Sequence, residues 1–244
     1  MNDKQIEINR YNEKAQKILN TKQYQIKIPS YLNSANEYYF RSFKKFKKNL
    51  KLLEIGAGAG ENTSRILKMS FNVCATDLSP KSVELMSKRF SKYKNFTTMV
   101  ADMEKLPFKN ESFDIICSAG SLSYGDTNKV MNELYRVVKI GGSIIFVDSL
   151  NDNPIYKINR YINYIKGDRS KSTLERIPDI NLINEYTKKF GYGKVKYFGA
   201  ITWTFPLLNL IFKEKFITKI SNWIDKKFKI SKSAFKFVLT CKKL

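Results

Sequence analysis

Three glycines at alternate positions are the residues whose type and spacing point most directly to ligand chemistry. Gly56, Gly58 and Gly60 follow an apolar run that begins at Lys51 and is typical of a buried strand. Glycine has no Cβ, so the backbone there can adopt positive φ and a ligand can lie against main-chain N–H groups. A helix predicted to begin near Glu61 or Asn62 would add the unpaired N–H groups of its first turn. The spacing predicts a binding turn for an adenosine-containing cofactor.

The glycine spacing by itself leaves several cofactors open. Nicotinamide, flavin and S-adenosylmethionine binders all use such a turn, and some glycine clusters are only tight turns. A second strand is predicted to end at Asp77, about twenty residues after Gly56, where a ribose diol is bound in a mononucleotide-binding half. A third predicted strand ends at Asp102, followed by Met103. The dinucleotide fingerprint stops at the ribose acid, so this third position favours a different cofactor.

From about Lys51 to Asp148 the chain resembles the class I S-adenosylmethionine-dependent methyltransferases, and more narrowly the small-molecule group of the type 11 kind. Two further segments match the family pattern. Residues 106–118 match its proline loop, its Ser-Phe-Asp turn and its fourth strand. Residues 137–147 match its Gly-Gly turn and fifth strand, with Ile140 where proline is usual. The resemblance implies S-adenosyl-L-methionine as cofactor and methyltransferase activity.

The resemblance also implies roles for individual residues. The acidic strand residue and the glycines would hold the methionine end of the cofactor, and Asp77 would bind the ribose. Leu78 would lie beside the adenine, and Asp102 with Met103 would contact the adenine edge. The cofactor-binding residues implied in this way are Glu54, Gly56, Gly58, Gly60, Asp77, Leu78, Asp102, Met103, Ser118 and Ala119.

The sequence contains no histidine, which limits the mechanism. Many type 11 relatives place a histidine near the position of Ser123 and Tyr124, so a histidine-assisted reaction is excluded here. Methyl transfer is an in-line displacement at the sulfonium carbon, and close, collinear placement of the acceptor can supply much of the rate. The candidate catalytic residues are Asp148 after the fifth strand, Asp126 beyond the fourth, and Tyr124. A sugar hydroxyl would gain more from a carboxylate base than an amine would.

The elements that must position these residues alternate between strands and helices, which predicts an α/β fold with parallel strands. The resemblance implies a doubly wound, mostly parallel seven-stranded sheet of the Rossmann-like methyltransferase type, with an antiparallel last strand and helical lid additions. Four regions are predicted. Residues 1–49 form an N-terminal helical lid, residues 50–148 the cofactor-binding core, residues 149–180 an acceptor-side insertion, and residues 181–244 the C-terminal part of the sheet with a helical insertion at 203–230.

Two segments outside the core have more than one interpretation. The polar, basic insertion 149–180 either carries acceptor specificity over the pocket or is a solvated connector. Its motifs are similar to those of methyltransferases from bacterial surface-polysaccharide gene clusters. Between Pro206 and Phe228, apolar residues recur in steps of three and four, which predicts one amphipathic helix. Its apolar stripe would pack on the core or form part of an acceptor lid, and the alternative is contact with a membrane surface.

The net charge of +22 also has two interpretations. It would favour anionic substrates, nucleic acid or an acidic membrane face, or it reflects an AT-rich coding sequence that is abundant in lysine. Cys74, Cys117 and Cys241 lack metal-binding spacing and are predicted to be small buried residues, and no metal site is expected. No long apolar segment or signal-like N-terminus is evident, which leads us to expect a cytoplasmic protein.

Three functions remain open from the sequence. The leading one is methyl transfer by a monomer or homodimer to an O or N atom of a small polar, anionic acceptor of a surface-polysaccharide pathway, such as a sugar, a nucleotide-linked sugar or a phosphorylated amino alcohol. The second is nucleic-acid methylation, suggested by the charge. Residues 117–122 lack the Asn/Asp-Pro-Pro-aromatic motif of base amino methylation, and no Pro-Cys nucleophile is present. The third is a binding protein that keeps the cofactor fold without turnover.

Overall fold

Seven strands form one mixed sheet in the computed structural model, which describes residues 3–21, 33–167 and 169–244. The strands are β1 (Lys51–Ile55), β2 (Asn72–Asp77), β3 (Phe96–Val100), β4 (Phe113–Ala119), β5 (Val138–Ser149), β6 (Gly191–Phe198) and β7 (Lys236–Lys243). Their order is β3-β2-β1-β4-β5-β7-β6. The first five are parallel, and β7 pairs antiparallel with both β5 and β6. The predicted doubly wound sheet with an antiparallel last strand is confirmed.

Helices cover both faces of this sheet. They are α1 (Asp3–Thr21), α2 (Asn33–Ser42), α3 (Thr63–Leu67), α4 (Pro80–Phe90), α5 (Thr127–Val137), α6 (Pro154–Ile165), α7 (Lys171–Glu175), α8 (Ile180–Phe190), α9 (Phe205–Leu208) and α10 (Glu214–Lys227). The central strands are apolar on both sides, as strands covered on both faces must be. One buried cluster includes Leu134, Phe146 and Tyr186, and the opposite one includes Tyr39 and Phe71.

Local signals explain where several helices begin. Ser79 accepts a hydrogen bond from the backbone of Ser82 and is followed by Pro80, a favourable pair at a helix N-terminus. Asn153 with Pro154 gives α6 the same kind of start. The insertion expected to be either a specificity element or a connector thus contains the two helices α6 and α7.

The N-terminal region, which was predicted to form a single lid, is divided between two different places in the fold. Helix α1 lies at the cofactor side, whereas α2 packs against the sheet through Tyr39 and Phe40, both buried. Residues 1–2 and 22–32 of the predicted lid lie outside the described residues. Of the cysteines, Cys117 and Cys241 are buried as predicted, but Cys74 is half-buried.

The prediction of one continuous helix over 206–228 was wrong, and its apolar stripe is not packed on the core, which was one of the three roles considered for it. The segment forms α9 and α10 with a break between them. The buried edge of α10 consists of Ile217, Ser221 and Asp225. Asp225 accepts hydrogen bonds from the backbone of Gly199 at 2.7 Å and Ala200 at 3.1 Å. These bonds turn a polar edge of the helix inward and leave much of the apolar stripe exposed.

Candidate cofactor and acceptor site

A cavity of about 430 Å³ opens at the carboxyl ends of β1, β2 and β4. This is where ligands bind in open α/β sheets, because the loops that follow parallel strands meet there. Several residues with predicted cofactor roles are brought together in its lining. They are Gly56, Gly58, Asp77, Leu78, Asp102, Met103 and Ala119. Glu54, Gly60 and Ser118 lie outside the lining.

The glycine loop after β1 depends on the absence of side chains. Gly56 has φ of +58°, and a Cβ there would lie 2.4 Å from the Cβ of Ser121. Gly58 also has φ of +58°, and its N–H donates to the Asp77 carboxylate at 2.8 Å. Gly60 has a different task, because a Cβ there would lie 2.5 Å from the ring of Phe90. Gly60 thus allows α4 to pack closely behind the loop.

Asp77 connects the glycine loop to the turn after β2. One carboxylate oxygen accepts from Gly58, and the other accepts from the N–H of Ser79 at 2.9 Å. Burial raises the pKa of Asp77, and hydrogen bonds from three backbone N–H groups act against that rise. The Asp77 carboxylate therefore holds the glycine loop and the turn after β2 in place, and it remains at the surface of the cavity.

Glu54 and Ser118 support the loop from beneath. The buried Glu54 carboxyl accepts from the Thr63 hydroxyl at 2.6 Å, which ties β1 to the start of α3. Burial raises the pKa of Glu54 to about 7. The Ser118 hydroxyl hydrogen-bonds that of Ser121 at 2.5 Å. Ser121 also donates to the carbonyl of Ile55 at 3.2 Å, so these residues hold adjacent strand ends in register.

Helix α1 forms the outer wall of the cavity. Its lining residues recur every three or four positions, which places them on one helical face, and they include Glu7, Ile8, Tyr11, Lys14 and Ile18. At one end of the cavity, Lys4 Nζ lies 2.6 Å from the Asp102 carboxylate and 3.1 Å from that of Glu104. Burial lowers the pKa of Lys4, but the bonds to the two carboxylates outweigh it and raise that pKa overall.

The same helix is tied to α7 across most of the chain length. Asp3 accepts from the N–H of Ser172 at 2.8 Å. Glu7 accepts from the N–H of Ser170 and from the hydroxyl of Thr173, each at 3.0 Å. Helix α7, in the insertion after β5, thus holds α1 in position as the outer wall of the cavity. Nothing local in the sequence identified Asp3 or Glu7, because their partners lie more than 160 residues away.

Tyr124 is the candidate catalytic residue that lines the cavity. Its hydroxyl receives a hydrogen bond from Tyr11 at 2.8 Å and one from the Arg10 guanidinium at 3.1 Å. Arg10 also pairs with Glu7. Burial raises the pKa of Tyr11 strongly, so its hydroxyl keeps its proton and acts as a donor. Because Tyr11 and Arg10 both donate to the Tyr124 oxygen, the hydroxyl proton of Tyr124 is left to point into the cavity.

Asp148 and Asp126 have other surroundings. Asp148 is buried, and its oxygens accept from the N–H of Leu122 at 3.1 Å and of Ser149 at 2.7 Å. Burial raises the pKa of Asp148, and the charge of Lys236 acts against it. Asp126 caps α5 by accepting from the N–H of Lys129 at 3.1 Å. Neither aspartate lines the cavity, so each reaches it only through neighbouring residues.

The cavity fits an S-adenosyl compound in its size and in the residues that line it. Its volume lies within the range of small-ligand pockets. Glycine backbone leaves room for an amino-acid tail, Asp77 offers oxygens for a ribose diol, and Asp102 and Met103 belong to the same lining, with Met103 Cε 3.5 Å from the place a Cβ of Gly56 would take. When bound, the cofactor supplies a methyl group on a positively charged sulfur, which is the electrophile of the family's reaction.

Comparison with known proteins agrees with this geometry. Residues 53–146 match the family described as a methyltransferase domain, of type 11. By sequence the chain is similar to the demethylmenaquinone methyltransferase of Chlorobaculum tepidum, with 27% identity over 179 residues that cover 64% of this chain and 73% of that protein. The chloroplastic 2-methyl-6-phytyl-1,4-hydroquinone methyltransferase 2 of Oryza sativa subsp. japonica is 31% identical over 119 residues. That alignment covers 48% of this chain and only 33% of the rice protein.

Solved structures share the fold. Phosphoethanolamine N-methyltransferase 2 of Haemonchus contortus, in complex with phosphomonomethylethanolamine and S-adenosylhomocysteine, superposes with a TM-score of 0.61 at 20% identity. The match covers 86% of this chain and 53% of that chain. YcgJ of Bacillus subtilis gives a TM-score of 0.57 at 16% identity, covering 86% and 98%. Residues 53–146 therefore form a methyltransferase domain of type 11, and the chain has the Rossmann-like fold of solved methyltransferases that bind S-adenosylmethionine or S-adenosylhomocysteine.

Proposed function

We propose that the protein methylates an O or N atom of a small anionic acceptor, of the sugar phosphate or phosphorylated amino alcohol class. The observation that supports this acceptor is a cluster of cations beside Asp148. Its members are Arg160 on α6, Arg169 before α7 and Lys236 on β7. Arg160 and Lys236 both interact with the Asp148 carboxylate, and Arg169 adds a third positive charge next to Arg160. An excess of positive charge around a buried group is costly unless an anion joins it.

Arg160 is the most enclosed member of this cluster, with 5% of its surface exposed. Its Nη1 donates to the Leu150 carbonyl at 2.8 Å and to the Asn151 side chain at 2.7 Å. Its Nη2 is buried without a hydrogen-bond partner in the part of the chain that the structure describes. Burial and the charge of Arg169 lower the pKa of Arg160 to about 10. A phosphate oxygen would satisfy Nη2 and reduce the repulsion between the two guanidinium groups.

The cluster is connected to the cavity by two routes. Asp148 accepts from the N–H of Leu122, two residues before Tyr124. Ser170, next to Arg169, donates to Glu7, which lines the cavity. An acceptor whose anionic group met the cluster would therefore extend toward Tyr124. The phosphomonomethylethanolamine bound to the nematode neighbour and the geranyl diphosphate bound to a Streptomyces coelicolor neighbour are acceptors of this charge type.

In this proposal Gly56, Gly58, Asp77 and Asp102 hold the cofactor, and residues 149–180 provide the acceptor side. When bound, S-adenosylmethionine would supply the methyl group, which the acceptor lone pair would take up while the electron pair of the carbon–sulfur bond would stay on sulfur. Tyr11 and Tyr124 align the acceptor, and this alignment is the main requirement of an in-line displacement. Where the acceptor carries a proton, Tyr124 is the candidate base that lines the cavity, whereas Asp148 and Asp126 do not line it.

A matched acceptor panel tests the proposal. Release of S-adenosylhomocysteine is measured with phosphoethanolamine and sugar phosphates, and with their unphosphorylated counterparts. We expect turnover to favour the phosphorylated member of each pair, and Arg169→Gln to raise its KM about tenfold or more. Exposed Arg41→Gln is the control. Equal turnover of both members, or turnover only of a short-chain demethylmenaquinol, would contradict an anionic acceptor. Cofactor binding without turnover of any acceptor would favour a binding protein.

A further inference from the structure

The C-terminal segment exposes an unusual amount of apolar surface. Of the 21 large apolar side chains that are exposed among the described residues, ten lie between residues 203 and 230. We name these ten the C-terminal apolar patch. They are Trp203, Leu207, Leu210, Ile211, Phe212, Phe216, Ile220, Trp223, Phe228 and Ile230. Scattered apolar residues on a surface are normal, but a contiguous group marks an interaction site.

The most exposed members lie at the break between α9 and α10. Leu210 and Ile211 are 82% and 77% exposed. The patch continues along α10, where Phe216, Ile220 and Trp223 follow at steps of four and three and therefore share one face. Its aromatic rings pack on one another, with centroids 5.7 Å apart for Phe212 and Phe216. The helix uses a different, narrow edge to contact the rest of the protein.

Lysines border the patch. The segment 203–232 carries seven lysines and two acids, and one of the acids, Asp225, is buried. Lys215, Lys219 and Lys226 are exposed and lie along the side of α10 next to the apolar face. Lys227 lies over the ring of Trp223 at 5.2 Å. Long lysine side chains can keep their charge in water while their stems follow an apolar surface.

We propose that the C-terminal apolar patch docks the protein onto the surface of an anionic lipid bilayer. Leucine, isoleucine, phenylalanine and tryptophan side chains would enter the boundary between headgroups and acyl chains, and the bordering lysines would meet lipid phosphates. Charge complementarity selects this occupant, because the border of the patch is almost uniformly cationic. No helix among the described residues is long and apolar enough to cross a membrane, so the contact is peripheral.

The patch lies next to the acceptor side of the fold. Tyr156 at the start of α6 hydrogen-bonds Thr202, which directly precedes the patch. Arg160, one turn further along α6, belongs to the cationic cluster. Docking does not require the proposed acceptor, and we expect it for the protein both with and without bound cofactor.

Vesicle binding tests the docking surface. The full chain is sedimented with vesicles of phosphatidylcholine and with vesicles that also contain phosphatidylglycerol. We expect binding to the anionic vesicles that weakens in high salt, together with a blue shift of tryptophan emission, since the chain has only two tryptophans and both are in the patch. Trp203→Phe leaves Trp223 as the single reporter.

Two matched pairs of variants test whether the C-terminal apolar patch and its bordering lysines make the contact with the vesicles. Leu210→Ser with Ile211→Ser should reduce vesicle binding about tenfold or more, whereas Ile140→Ser, an exposed site outside the patch, should leave it unchanged. The triple change Lys215→Ser, Lys219→Ser and Lys226→Ser should weaken binding more than Lys47→Ser, Lys68→Ser and Lys94→Ser, although both lower the net charge equally. Equal effects within either pair would overturn the proposal. So would concentration-dependent dimerisation through the patch without vesicle binding.

Discussion

The hydroxyl of Tyr11 on α1 donates to the hydroxyl of Tyr124 after β4 over 2.8 Å, although the two residues are 113 positions apart. Their rings meet edge to face with centroids 5.5 Å apart. The cavity is thus closed by a pair of side chains from the helix that forms its outer wall and from the loop that follows a core strand. Any movement of α1 changes the environment of the candidate catalytic tyrosine.

Tyr124→Phe should lower kcat by about tenfold to a hundredfold while the affinity for S-adenosylhomocysteine stays within about twofold. The change removes the hydroxyl that joins Tyr11 and Arg10 but keeps the ring at the cavity wall. Steady-state kinetics and calorimetric titration measure the two quantities. Tyr161→Phe, on the exposed face of α6, is the matched control. An unchanged kcat in Tyr124→Phe would remove this hydroxyl from the mechanism.

The fastening of α1 to α7 leads to a second prediction. Glu7→Ala removes hydrogen bonds from Ser170 and Thr173 and the ion pair with Arg10. Because α1 forms the outer wall of the cavity, we expect S-adenosylhomocysteine to dissociate about tenfold faster. Stopped-flow displacement measures the rate. Glu13→Ala, an exposed site on the same helix, is the control. If both variants release the ligand at the wild-type rate, α1 does not gate the cavity.

The sheet and the order of the site residues could be predicted from the sequence for a local reason. A buried parallel strand is a short apolar run, and the residue that follows it must lie at the carboxyl edge. Gly56 follows such a run and Asp77 ends one, Asp102 lies just beyond the largely exposed edge strand β3, and all three line one cavity. The predicted end of the third strand at Asp102 was wrong, because β3 ends at Val100 and Asp102 lies in the turn beyond it.

The features that could not be predicted depend on distant contacts. The position of α1 depends on hydrogen bonds from Asp3 and Glu7 to α7, and neither acid stands out in its own helix. The three glycines look equivalent in sequence, yet Gly60 meets Phe90 instead of the cavity. Helix α10 exposes its apolar stripe because Asp225 satisfies backbone groups of the 199–200 turn, a partner that periodicity does not reveal.

The glycine loop gives a third prediction. Gly56→Ala should destabilise the protein by about 2 kcal/mol and abolish measurable cofactor binding, because its Cβ would collide with Ser121 in a left-handed backbone conformation. Urea denaturation and calorimetric titration measure the two effects. Gly141→Ala is the matched control, since Gly141 also has positive φ, at +73°, but no atom within 4 Å of the added Cβ. Gly141→Ala should lower the stability of the protein but leave cofactor binding unchanged. Equal cofactor binding in both variants would contradict the role of the loop.

Glu54 makes the stability of the protein depend on pH. Burial raises its pKa from 4.5 in the unfolded chain to about 7 in the folded one, against the hydrogen bond from Thr63 that favours the charged form. The folded state therefore holds this proton more tightly than the unfolded state. The contribution of Glu54 to stability is complete below pH 4.5 and is lost as the pH rises through about 7.

Glu54→Gln keeps an acceptor for the Thr63 hydroxyl but cannot ionise. Its free energy of unfolding relative to the wild type should therefore increase between pH 4.5 and pH 7, by about 3 kcal/mol at most, and stay constant above that range. Urea denaturation of the cofactor-free protein at a series of pH values measures this difference. Thr63→Val provides the complementary variant, because loss of its hydrogen bond should move the pH range upward. A difference between Glu54→Gln and wild type that does not change with pH would show that the carboxyl titrates alike in the folded and unfolded chain.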